Sequence, residues 1–151
     1  MSVRHILIEL DPTGPFADSA ALGPGYAEEP GYAAARLLAP RLQSVAVPLP
    51  GASDGALVPD GTLVALATRD ADTRALAILL VDRRIDDGPA RDVRLSLPSG
   101  RWALTASTLT GDSLAAKAVQ VTDADLGQAD GSAHLSVPAH AVVVVDAHAS
   151  N

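Results

Sequence analysis

The chain has 151 residues, 48% of them hydrophobic, and carries 11 Lys+Arg against 18 Asp+Glu for a net charge of -7. That length supports one substantial core, and an acidic balance with no basic run opposes a phosphate backbone and disfavours nucleic-acid binding. With no cysteine there are no disulfides, thiolate metal sites or cysteine nucleophiles, and no stretch reaches the roughly 20 apolar residues that span a bilayer.

Near the N-terminus Ile6, Ile8 and Leu10 alternate with His5, Leu7 and Glu9, the period-two pattern of a half-buried strand. His5 and Glu9 interrupt the apolar stretch and no small-residue cleavage pattern follows, which argues against a signal peptide and favours the cytoplasm. Asp11-Pro-Thr-Gly-Pro15 stops the strand, residues 16–31 read as an irregular loop, and residues 32–39 have the propensity for a short helix ending before Pro40.

From Ser44 onward the pattern is β. Residues 44–48, 62–69, 74–82, 91–97, 101–109, 133–137 and 141–147 read as strands, separated by turn material at 60–61, 70–72, 86–88, 98–100 and 130–131. The run 75–81 is apolar on both faces and reads as central, whereas Val93, Leu95 and Leu97 alternate with Asp92, Arg94 and Ser96. Residues 110–129 fit either a helical turn or a loop crossing between sheets. The expected fold is all-β: one domain over 1–151, an antiparallel two-sheet β-sandwich with one short N-terminal helix, in which 1–43 hold the N-terminal strand, loop and helix and 44–151 the sandwich body.

Candidate chemistry is sparse. Gly51-Ala-Ser53-Asp-Gly55 matches the nucleophile-elbow pattern, but that elbow needs a strand before and a helix after the Ser, and the flanks here are rich in Pro and Gly; a turn is the better reading. His5, His134, His140 and His148 lack metal-ligand spacing, although the last three would meet if they gathered at one end of a sandwich. Asp70, Asp72, Asp123 and Asp125 do not follow a known calcium loop and read as turn-capping groups. No metal or cofactor site is expected. Trp102 shares a face with Leu104 and Ala106, so it reads as core rather than as a sugar-stacking platform.

Three segments read together carry a resemblance: Leu66-Ala-Thr-Arg-Asp-Ala-Asp-Thr-Arg-Ala-Leu-Ala-Ile-Leu-Leu-Val-Asp82, Thr108-Leu-Thr-Gly-Asp-Ser113, and Leu135-Ser-Val-Pro-Ala-His-Ala-Val-Val-Val-Val-Asp146. They resemble the C-terminal β-sandwich of clan A glycoside hydrolases, of the family 39 β-xylosidase and family 51 α-L-arabinofuranosidase type. The pattern departs at Asp82, where Asn is usual, and at Ala141, where a small hydroxyl is usual. Residues 33–42 are similar to the helix that leaves the catalytic barrel in those enzymes. His5 to Gly14 is similar to the segment around the family 39 nucleophile, which would put Glu9 at that position; read from the residues alone, Glu9 is an exposed group on a strand.

Retaining hydrolysis needs a second carboxyl about 5–5.5 Å from the nucleophile, and Glu occurs only at 9, 28 and 29. A (β/α)₈ barrel needs about 250 residues, more than this chain has. The resemblance therefore implies a non-catalytic accessory domain whose partner is a catalytic barrel. An apolar patch near residues 32–42 and the N-terminal strand would face that barrel, and without it would favour a homodimer. The alternative is a free-standing carbohydrate-binding or protein-interaction sandwich.

Overall fold

The computed structural model describes residues 30–49, 61–113 and 119–150. The expected strand at 5–10 and the turn at 51–55 lie outside the described residues. One short helix, α1 (Pro30–Leu38), precedes six strands: β1 (Val45–Val47), β2 (Leu63–Arg69), β3 (Leu76–Asp82), β4 (Arg91–Gly111), β5 (Val119–Val137) and β6 (Val142–Ser150). They form one sheet in the order β1-β2-β3-β6-β4-β5, antiparallel at every junction.

Helix α1 opens on Pro30, where a missing N–H has no intrahelical acceptor to lose, and stops before Pro40. The amides of Arg41 and Leu42 both turn back to the Leu38 carbonyl, at 2.9 and 3.0 Å. Ala33 and Leu37, one helical turn apart, are buried against Leu109 of β4 and Val144 of β6. Burying a leucine in this way contributes about 2 kcal/mol. Leu37 therefore faces the chain's own sheet, where the sequence led us to expect an outward patch.

The other face of the sheet carries the main core, and a bend in the β4–β5 ribbon builds it. The register passes from Ser96↔Ser132 to Arg101↔Asp130, so residues 97–100 of β4 lie opposite Gly131 alone. Gly100 at φ 115° and Gly131 at φ 74° adopt backbone conformations that a side chain would strain. Residues 101–109 of β4 pair with β6, whereas residues 91–96 pair only with β5. Arg91 reaches Asp82 and Thr62 at the far end of β2 and β3, so this half of the ribbon runs back across the sheet. Val93, Leu95, Leu97, Leu135 and Val137 then pack onto Leu63, Ile78, Leu80, Leu104, Val143 and Val145.

Three expectations change. The hydrogen bonding gives one six-stranded sheet and does not divide into two, because β4 and β5 stay continuous through the bend. Residues 91–97 and 101–109 are halves of one strand. The segment 119–129, read as loop or helical turn, belongs to β5, and 130–131 is a bend within that strand rather than its start. Residues 120–125 are exposed on both faces of this edge strand, so burial imposes no alternation that a sequence pattern would register. The central placement of 75–81 holds: β3 lies between β2 and β6, with Ala77 and Leu80 fully buried.

The turn from β2 to β3 is held by Asp70, whose Oδ1 accepts the amides of Asp72 at 3.0 Å and Thr73 at 2.6 Å and the Thr73 hydroxyl at 2.8 Å. The backbone hydrogen bond from Thr73, then that from its hydroxyl, hold this carboxyl below the usual aspartate range. Arg74 follows at φ 60°, a left-handed conformation that strains a residue bearing a Cβ. Arg74→Gly should therefore stabilise the protein by about 1 kcal/mol. Urea unfolding checks it, and a lower midpoint would mean that the arginine side chain contributes more than the strain costs.

Candidate functional site

Two polar clusters are built into the sheet. The first sits where β3 ends. Asp82 occupies the inward phase of Leu76, Ile78 and Leu80, and its side chain is 0% exposed. Its amide donates to the Ala141 carbonyl at 3.0 Å. Arg84 Nε donates to Oδ1 at 3.0 Å and Oδ2 at 2.9 Å, and Arg91 Nε donates to Oδ2 at 3.1 Å. Arg91 also donates to Thr62 Oγ1 at 2.7 Å, and Arg84 to the Pro89 carbonyl at 2.9 Å. Burial pushes the Asp82 carboxyl up, but the side-chain and backbone hydrogen bonds from Arg84, with the charges of Arg84 and Arg91, outweigh it and hold the group below its ordinary range. With its side chain fully buried and held by both guanidiniums, the carboxylate acts as a structural lock between β3 and the ribbon.

The second cluster lies on the helix side. Arg41, just past α1, donates to Asp146 Oδ2 at 3.0 Å, to Ser107 Oγ at 3.1 Å and to the Leu37 carbonyl at 2.9 Å. Ser107 donates in turn to Asp123 Oδ1 at 2.6 Å. Thr105 and Asp125 complete a shallow hollow of about 320 Å³. Among the described residues Ser107 has no histidine as a hydrogen-bond partner, and it acts here as a bridge between Arg41 and β5. The arrangement ties helix, sheet and edge strand together.

The residues singled out from sequence fall elsewhere. Glu9, His5 and Ser53 lie outside the described residues. His148 pairs with Ala103 near one end of the sheet, His134 pairs with Arg94 within the ribbon, and His140 lies beside β6 at the other end, so the three histidines do not gather. His140 Nε2 is 3.1 Å from Asp87 Oδ1, and its buried Nδ1 has no hydrogen-bond partner among the described residues. Asp70 caps the β2–β3 turn, Asp123 binds Ser107, and Asp125 accepts the Gly127 amide at 2.8 Å. Among the described residues no three metal-ligating side chains come together. Trp102 is 5% exposed and donates its indole N–H to the Pro98 carbonyl at 2.9 Å, so its ring is part of the core.

Sequence reasoning missed the Asp82 lock, although a signal was present. Asp82 and Arg91 are opposite charges on the inward phase of two strands, and such groups must find each other or leave charge unpaired in the core.

No family model matches the sequence, and no curated protein matches it either. Solved structures do share the fold. An arabinose-bound GH51 α-L-arabinofuranosidase aligns with 82% of this chain at 18% identity and a TM-score of 0.63, over 20% of its own length. A second arabinofuranosidase aligns with 58% at 23% identity and a TM-score of 0.51, over 19% of its length. The α-L-arabinofuranosidase of Thermotoga maritima, solved with arabinose, aligns with 59% at 23% identity and a TM-score of 0.50, over 20% of its length. The chain has a fold found within GH51 arabinofuranosidases. It spans 19–20% of the length of these proteins.

Proposed function

We propose that this chain is a non-catalytic accessory β-domain of a glycoside hydrolase, of the arabinofuranosidase or xylosidase type, that packs against and stabilises a catalytic (β/α)₈ barrel. The observation that carries the reading is the coverage: the fold likeness takes in 82% of this chain but 20% of an arabinofuranosidase. The folded-over half of the β4–β5 ribbon serves as the second layer of an accessory sandwich. Three buried or part-buried carboxylate contacts support a non-catalytic role: Asp82 is locked to two arginines, Asp123 accepts from Ser107 and Asp146 accepts from Arg41.

Edge strand β5 is the surface on which a partner would act. It ends the sheet, is exposed along residues 120–125, and carries Val121 at 41% exposure. Long open edges invite pairing, and the charges of Asp123, Asp125 and Asp130 restrain indiscriminate contacts. The barrel is the occupant we propose; a second copy, giving a homodimer, is the alternative that sedimentation at micromolar concentration distinguishes.

The purified chain should not hydrolyse 4-nitrophenyl α-L-arabinofuranoside or β-D-xyloside above the buffer rate, and Glu9→Gln should leave that background unchanged. Turnover that disappears in Glu9→Gln would place a nucleophile in this chain and overturn the accessory reading.

A further inference from the structure

A cleft of about 400 Å³ opens at the end of the sheet where the ribbon bends, opposite the Asp82 lock. Arg69 at the end of β2, Arg74 in the following turn and Arg101 just past the bend line it, with Leu76, Pro98 and Trp102 among its apolar walls. All three arginines are exposed, and among the described residues none has an ion-pair or hydrogen-bond partner. The other two arginines that fix the fold at the opposite end, Arg84 and Arg91, both hold a carboxylate. Three arginines with no carboxylate bound to them among the described residues line one hollow and give it a cationic wall that an anion would complement.

We propose that this cleft binds a saccharide bearing a carboxylate, a uronic-acid type of ligand. The guanidinium fork matches a carboxylate bidentately, and a volume of this size accommodates one or two sugar rings. Exposed Pro98 in the lining offers an apolar surface to the C–H face of a ring, which a bare inorganic anion would not use. The anionic part of the assignment stands on the cleft itself, and the sugar part rests on the glycoside hydrolase reading above.

Trp102 is the chain's single tryptophan and forms part of the wall, so its fluorescence reports occupancy. Titration with digalacturonate should give a saturable change, at least tenfold tighter than with its neutral methyl ester or with inorganic phosphate. Arg69→Ala and Arg101→Ala should each weaken binding at least tenfold while leaving the thermal midpoint within about 1 °C of the parent, as expected for exposed side chains. No saturable response, or an equal response to the methyl ester, overturns the site; phosphate binding as tightly as digalacturonate overturns the saccharide assignment. The readout is binding, so glycoside turnover by the chain would overturn the accessory reading and leave this result standing.

Discussion

Asp82→Ala should destabilise the protein by about 3–5 kcal/mol at pH 7, the cost of leaving buried charge without its partner. The Asp82 side chain is 0% exposed, and the guanidiniums of Arg84 and Arg91 that converge on it are only 12% and 24% exposed. Removing the carboxylate strands two cations that water reaches poorly. Asp82→Asn keeps an oxygen for the Arg84 amide and should fall between parent and alanine variant. The pH dependence has a definite sign. The folded state lowers the carboxyl's pKa, so its contribution is complete above the unfolded value of about 3.9 and is lost as pH falls through the folded one. Urea midpoints of parent and Asp82→Asn should therefore lie apart at pH 7 and converge on acidification below pH 4. A gap that stays constant down to the acid transition would show that charge plays no part in the lock.

Much of this architecture is legible in the sequence wherever burial imposes a rhythm. The alternation of Val93, Leu95 and Leu97 and the two-faced apolar run of β3 both predict the burial seen. Topology at the ribbon is not legible in the same way. Pro98-Ser-Gly100 looks like a hairpin turn, yet the chain uses it to bend one strand while β5 follows alongside, and only the pairing partner distinguishes the two. Segment 119–129 escaped because residues 120–125 of this edge strand are exposed on both faces and have no buried phase, and its aspartates are poor strand formers.

The lock also bears on one place where the sequence departs from the pattern it resembles, Asp82; nothing in the structure explains the alanine at 141. Asp82 and Ala141 are the two departures, and the Asp82 amide donates to the Ala141 carbonyl, so they are neighbours. An asparagine at 82 would be neutral and would need no cation. An aspartate in the same buried position needs one, and this chain supplies Arg84 two residues on and Arg91 from the folded-over half of the ribbon. The arginine from the ribbon matters most for architecture, because it ties the far end of that half to the end of β3.

Packing holds the rest of the ribbon in place, and Leu104→Ala tests how much. Leu104 is 1% exposed, in the part of β4 that pairs with both β5 and β6, and it belongs to the same core cluster as Val93, Leu95 and Val137 of the folded-over half. Truncation removes three carbons from a position with no route to solvent, and sheet backbone paired on both sides cannot move in to fill the void. The expected cost is about 3 kcal/mol. At about 2–4 °C per kcal/mol for a domain of this size, the thermal midpoint should fall by about 10 °C. Leu80→Ala, at 0% exposure in the neighbouring strand, should behave alike, whereas Leu66→Ala, at 41% exposure on the other face, should shift the midpoint by no more than about 2 °C. Thermal unfolding followed by circular dichroism makes the comparison. If Leu104→Ala and Leu66→Ala proved equally mild, the ribbon would not be packed on the sheet at this point, and the single folded-over core would have to be abandoned.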